Sequence, residues 1–235
     1  EAAKAEYRQV IKEGWAKEGE LKRGGLGFHS LVAEAGGYLK PHLDATKDAA
    51  EIKELDTRIA KIRAIPRPIT PIAVPLTAGL TVSQLEDRDA SVLFDADGSG
   101  QAKCWSWIKP NAGWLVIDRP GTGRIESGLQ LFGNVTFWMF WEHGYEPLTA
   151  LDNNRDGELR GAELEALAIW CDANQNGISE RGEVKSLSEH GIVALSCQHT
   201  IDREHADRIE FSAAGVTFRD GTTRPTFDLR LHPQR

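Results

Sequence analysis

Along the first 65 residues apolar side chains return at helical spacing. Val10, Ile11 and Trp15 mark one stripe and Ile52, Leu55, Ile59 and Ile62 a second, with charged residues filling the other faces. The stripes predict amphipathic helices, paired as the inner faces of a helical hairpin or open as a docking surface for a partner helix. Between them the glycine-punctuated stretches RGGLGFHS and EAGGYL separate the helices. They have the wrong context for a phosphate loop, since no strand precedes and no G-K-[ST] follows.

The pattern then breaks at PRPITPIAVP, where Pro66, Pro68, Pro71 and Pro75 crowd together; such density blocks a helix and favours an extended linker over 66–75. From 76 to 235 the texture is short strands, turns and acidic loops, beginning with LTVSQL and SVLFDADGSG. At the end, Asp220-Gly221 between two alternating apolar runs predicts a β-hairpin. The expected fold class is therefore α+β: a helical segment over 1–65, a linker, and a domain of short strands and hairpins packed against EF-hand-like loop-helix elements.

Composition narrows the class. With 40% hydrophobic and 27% charged residues the chain can bury a substantial core, so disorder is excluded. Its net charge of −7, spread over short loops, argues against a nucleic-acid partner. No apolar run approaches the 18 or more residues of a membrane span. The sequence opens on Glu1 without a hydrophobic signal region, which fits a targeting peptide removed or lying outside it. Three cysteines, Cys104, Cys171 and Cys197, form no C-x-x-C knuckle and read as buried thiols, with a Cys171–Cys197 disulfide as the other option.

The chemistry concentrates in DNNRDGELRGAELEALAIWCDANQNGISERGE, where the pattern D-x-N-x-[DN]-G occurs twice, 20 residues apart. Calcium takes six to eight oxygens, and an EF-hand loop supplies them from positions 1, 3, 5, 7, 9 and 12. Asp152, Asn154 and Asp156 stand at 1, 3 and 5, the Glu158 carbonyl at 7, and Glu163 at 12 offers both oxygens. The second loop repeats this with Asp172, Asn174, Asn176, the Ile178 carbonyl and Glu183, but its neutral fifth position predicts looser binding. Asp, Asn and Gly also build turns and caps without any metal. The tandem repeat with both terminal glutamates favours Ca2+ over that alternative.

A third candidate is Asp95, Asp97 and Ser99 in DADGSG, whose twelfth position is Ser106, so Asp118 or Glu126 would have to complete it. The loop from Asp118 keeps its glycines but has Pro120 and Thr122 where ligands are expected. Only GAELEALAIWC separates the two main loops, and the expectation is one shared helix holding two ions on the order of 15 to 20 Å apart at 1.5 Å rise per residue. Leu164, Leu167, Ala168 and Trp170 would then face a core.

FDADGSG, the Trp107, Pro110, Gly113 spacing, LVIDRPGTGRIESGLQLFG, GYEPLTALDNNRDG and WCDANQNGISERGEVKSLSEHGI occur in one order. Through them residues 71–197 resemble the EF-hand-containing regions of large secreted bacterial RTX-type, iron-regulated calcium-binding proteins. The resemblance implies an extracytoplasmic module that folds in calcium, with the ligand roles above. The family form has asparagine, asparagine and glutamate where this chain has Pro120, Thr122 and Gln130, which weakens the Asp118 site. Some relatives cleave themselves at an Asp-Pro bond when calcium arrives, but no Asp-Pro dipeptide occurs in this sequence.

No H-E-x-x-H, G-x-S-x-G or C-x-x-C-H motif appears, and Cys197, His199 and His205 match no common zinc spacing. The aromatic run NVTFWMFWEHGYEP reads as a buried junction, or else as a stacking platform for carbohydrate or protein. The expected function is a non-catalytic, secreted or cell-surface calcium-binding structural or interaction protein, with residues 1–65 attaching it to a protein partner in a larger assembly. A calcium-dependent hydrolase or self-processing module, and a dockerin-like scaffold plug, are the alternatives.

Overall fold

The computed structural model describes residues 2–18, 30–63, 69–119, 121–139 and 141–234. The stretch 23–29 of the first glycine segment, Pro66, Pro68, Pro120, Phe140 and the Ile62 side chain lie outside the described residues. The chain divides into two compact units, Glu1–Arg67 and Pro68–Arg235.

In the first unit, helices α1 (Ala2–Glu18), α2 (Leu31–Leu39) and α3 (Ala49–Arg63) share one small core. Ile11 and Leu55, one from each apolar stripe, pack with Val32, Ala35 and Leu39 of α2. EAGGYL therefore lies inside a helix rather than between helices. Ser30 opens α2 by accepting the Ala33 N–H on Oγ at 3.0 Å. Gly36 offsets its helix-propensity cost by close contact, since a Cβ there would stand 2.8 Å from Leu55 Cδ1 and 2.9 Å from Ile59 Cδ1. Arg8 of α1 grips both carboxylate oxygens of Glu51 on α3, at 2.7 and 2.9 Å. Val10 stands 39% exposed, outside that core.

The second unit corrects the expected class: it is mainly β. In chain order it contains β1 (Ile72–Pro75), α4 (Val82–Leu85), β2 (Glu86–Phe94), β3 (Lys103–Ile108), β4 (Ala112–Ile117) and α5 (Tyr145–Thr149). There follow β5 (Glu158–Arg160), β6 (Leu167–Trp170), β7 (Val184–Ser186), β8 (Ile192–Ser196), β9 (Thr200–Ile201), β10 (Glu210–Phe218) and β11 (Thr223–Asp228). One antiparallel sheet runs β5-β8-β10-β11-β1-β4-β6-β7, with β9 on the flank of β10; β2 and β3 pair separately.

Two local expectations fall with it. Ile72–Pro75, expected as linker, is a fully buried interior strand, with Ala73 opposite Phe227 on one side and Trp114 on the other. Its prolines cost little because Pro75 ends the strand and Pro71 precedes it. The segment between the two acidic loops is not a helix. It comprises a 3-10 turn over Gly161–Leu164 and β6, whose LAIW is buried throughout and pairs with β4 and β7. A strand covered on both faces shows no alternation, so its apolar run looks like part of a buried helix.

The core explains the tryptophans. Trp107, Trp114 and Trp170 are almost fully buried and meet edge to face, with Trp107 centroids 5.3 Å from Trp114 and 5.7 Å from Trp170. Trp105 is buried too, and donates its indole N–H to the Phe94 carbonyl at 3.0 Å. In the NVTFWMFW run Val135 is buried, Trp141 half-buried and Trp138 61% exposed. The buried-junction reading therefore holds for only part of that run. Cys104, Cys171 and Cys197 are free thiols.

Candidate metal centre

Each acidic loop is built around its first aspartate. Asp152 Oδ2 accepts the Gly157 N–H at 2.8 Å, Asp172 Oδ2 the Gly177 N–H at 2.9 Å, Asp118 Oδ2 the Gly123 N–H at 2.7 Å, and Asp95 Oδ2 the Gly100 N–H at 3.0 Å. All four glycines, at the sixth position, have φ between 69° and 86°. Such a turn needs a left-handed backbone, open to glycine at no steric cost.

The fourth position is left-handed as well. It is glycine in two loops, Gly98 with φ 65° and Gly121 with φ 63°, whereas the other two place Arg155 with φ 60° and Gln175 with φ 56° there. One backbone thus recurs four times under D-x-x-[αL]-x-[αL]. The spacing of glycines in DADGSG and DRPGTG was the signal for it.

Only the loops from Asp152 and Asp172 complete the arrangement at the twelfth position. Glu163 Oε1 accepts the Asn153 N–H at 2.8 Å and its Oε2 the Arg160 N–H at 3.0 Å. Glu183 makes the same two contacts one loop later, with Ala173 at 3.1 Å and Glu180 at 3.0 Å. At the third position Asn154 Oδ1 accepts from Asp156 N at 2.9 Å and Asn174 Oδ1 from Asn176 N at 3.2 Å. At the fifth, Asp156 Oδ1 accepts from Glu158 N at 2.9 Å and Asn176 Oδ1 from Ile178 N at 2.8 Å. The side-chain oxygens named for the Asp152 and Asp172 loops thus lie on turns of one design, an all-oxygen set of the kind a hard cation takes.

Their frames differ. The Asp152 loop follows α5, and its positions 7 to 9 form β5, which pairs with β8. The Asp172 loop runs from β6 into β7, so no helix enters or leaves it. The helix-loop-helix unit of an EF-hand is therefore absent here. Its eighth position, Ser179, instead takes the Ile125 N–H on Oγ at 2.8 Å.

Asp172 is 2% exposed, and that burial raises its carboxyl above the ordinary range against the pull of the Gly177 and Asn176 N–H groups. Burial also raises Asp95; at Asp97 burial pushes the same way, but Lys103 and the Ser99 hydrogen bonds together outweigh it and lower the carboxyl. The Asp95 loop is the poorer candidate: Lys103 already neutralises Asp97, Asp118 serves its own loop, and Glu126 pairs with Arg124. Ser99 Oγ is turned to Asp95 Oδ1 at 3.5 Å.

A family model, the SPM domain, matches residues 77–232, a span holding all four loops and every strand from β2 to β11. The chain belongs to the SPM domain family. Within that family span lie Asp95, Asp118, Asp152 and Asp172 together, whereas the helical unit lies outside it. The chain is also similar to iron-regulated protein FrpA of Neisseria meningitidis serogroup C, 34% identical over 149 residues. That match covers 60% of this chain and 13% of FrpA.

One constellation of the SPM span leaves no signal in the order of residues. His205 does not join Cys197 and His199, for Cys197 is buried and His199 stacks on Tyr145 with centroids 5.1 Å apart. His205 instead meets Glu86 and Asp207, and donor atoms of these three lie within 4.8 Å of one another. Glu86 is more than 100 residues away in sequence, so no local spacing announces the group.

Proposed function

We propose that this SPM-family chain is an extracytoplasmic calcium-binding structural and interaction module, without catalytic activity, in which Ca2+ at the Asp152 and Asp172 loops orders the β unit. The observation carrying this reading is that the N–H groups at positions 2, 5, 6, 7 and 9 find the same acceptors in both loops, Glu163 and Glu183 taking the second and ninth. A carboxylate buried as deeply as Asp172 is costly unless a cation offsets it. The resemblance to an iron-regulated protein supports a secreted or surface setting, and among the described residues no helix is long and apolar enough to cross a membrane. The helical unit, outside the SPM match, is the part proposed to attach the chain to a protein partner in a larger assembly.

The test is a calorimetric calcium titration of wild type, Glu163→Gln and Glu183→Gln. Two sites are expected in wild type, in the extracellular range of about 10⁻⁴ to 10⁻³ M, and one in each variant. Chelation should lower the melting temperature strongly. No heat of binding, with equal melting temperatures in calcium and chelator, would sink the proposal.

A second reading, calcium-dependent hydrolysis or self-processing, draws on a different feature. Around Tyr145, whose OH donates to the Thr226 carbonyl at 2.8 Å, His143 Nδ1 and Asp228 Oδ2 are buried without hydrogen-bond partners among the described residues. Unsatisfied acid and base groups of this kind occur in active sites. A new fragment after incubation with calcium would favour it over the structural reading, and a single unchanged band would exclude it.

A further inference from the structure

Three segments distant in the chain bring two imidazoles and two carboxylates together away from the calcium-type loops. Glu86 opens β2, His205 and Asp207 sit in the turn between β9 and β10, and His232 lies beyond β11. An Asx turn sets the middle segment, where Asp202 Oδ1 accepts the N–H groups of Glu204 at 2.9 Å and His205 at 3.1 Å. Two backbone bonds set the last: His232 N–H donates to Ser106 Oγ, and Ser106 N–H to the His232 carbonyl, both at 2.8 Å. His205 Nε2 stands 3.5 Å from Glu86 Oε2, and His232 Nε2 stands 3.2 Å from Asp207 Oδ2.

Donor atoms of Glu86, His205 and Asp207 lie within 4.8 Å of one another, while His232 meets this threefold group through Asp207. Around a tetrahedral zinc with bonds of about 2.0 Å, neighbouring donors stand about 3.3 Å apart. Two histidine nitrogens with two carboxylate oxygens are a borderline donor set that suits zinc, whereas calcium asks for six or more oxygens. All four side chains are partly buried, from 11% to 35% exposed. We propose that Glu86, His205 and Asp207, with His232 turned in from its contact with Asp207 as the fourth ligand, form a structural zinc site that clamps the segment beyond β11 and the 202–208 turn onto the start of β2.

The four positions leave no open coordination place, which makes the site structural rather than catalytic. Two groups compete with the ion. Arg88 donates from Nε to Glu86 Oε2 at 3.0 Å and from Nη2 to Asp207 Oδ2 at 2.6 Å, the two oxygens that would ligate. Its side chain is 45% exposed, so zinc displaces it outward rather than burying it. His205 Nδ1 accepts the Asp207 N–H at 3.3 Å, which puts the neutral ring's proton on Nε2. Zinc takes the place of that proton.

The experiment is a zinc titration of the calcium-saturated full chain, followed by calorimetry, with cobalt in place of zinc to read tetrahedral geometry from its visible absorption. One zinc per chain is expected. His205→Ala and His232→Ala should each weaken it by at least about tenfold, and Arg88→Ala, which removes the competing cation, should tighten it by about threefold or more. Uptake that persists in both histidine variants, or that disappears in Asp172→Asn, would place zinc elsewhere and overturn the assignment; so would no uptake at all. Should the histidine variants fail to fold, imidazole nitrogen shifts in the wild type decide: two of the seven histidines must shift on zinc addition, and none shifting overturns it.

Discussion

The Ile125 N–H donates to Ser179 Oγ at 2.8 Å, joining the eighth position of the Asp118 loop to the eighth of the Asp172 loop. A loop with no acid at its twelfth position thereby braces one that has it. Ser179→Ala leaves a partly buried N–H without its acceptor and should cost about 1 to 3 kcal/mol in urea unfolding. Calcium affinity should fall at the Asp172 loop and hold at the Asp152 loop. Equal loss at both loops, read from a two-site titration, would count against this bracing.

Arg155 and Gln175 hold equivalent left-handed backbones in the two complete loops but differ in what their side chains do. Gln175 Nε2 reaches Asp87 Oδ2 and the Ile108 carbonyl, both at 3.0 Å, tying its loop to the β2–β3 hairpin. Arg155→Gly removes a strain of about 1 kcal/mol and should raise the melting temperature slightly. Gln175→Gly relieves the same strain while giving up two hydrogen bonds, and should be neutral or destabilising by up to about 2 kcal/mol. Thermal melts of both variants separate the effects, and a gain for Gln175→Gly would show the tie to be unimportant.

Gly157 and Gly177 are equivalent by backbone and unequal by surroundings. A Cβ at Gly177 would stand 2.6 Å from the Leu93 carbonyl oxygen, while one at Gly157 meets only the Gln198 side chain, 3.4 Å away. Gly157→Ala should cost about 1 to 2 kcal/mol for its positive φ alone, and Gly177→Ala about 1 to 3 kcal/mol more for the clash. Denaturant midpoints compare them directly; equal losses would mean that the hairpin yields freely.

Asp228 is buried at the end of β11, with Oδ1 accepting the Gly144 N–H at 3.1 Å. Burial first, then the nearby Glu210 charge, push its carboxyl well above the ordinary range. With the folded pKa above the unfolded one, its stabilising share is complete at low pH and is lost as pH rises through the folded value. Asp228→Asn should therefore match wild type near pH 4 and exceed it at pH 8. Every tenfold difference in proton affinity between the folded and unfolded chain adds about 1.4 kcal/mol to that gain. Unfolding free energies at both pH values check this, and a difference independent of pH would refute it.

The turn geometry of the loops was legible in the order of residues alone. Asp152, Gly157 and Glu163, and their counterparts Asp172, Gly177 and Glu183, are close in the chain, so the turn rules that unite them act locally and can be read from spacing. The apolar stripes around Ile11 and Leu55 were announced in the same way. Packing settled the rest. LAIW became a strand because β4 and β7 pair with its two edges, EAGGYL stayed helical because α3 packs against Gly36, and IAVP joined the sheet because β11 and β4 flank it. The meeting of Glu86 with His205 and Asp207 is of the same kind. Where an interaction spans more than a hundred residues, only the packing of the whole unit sets which side chains meet.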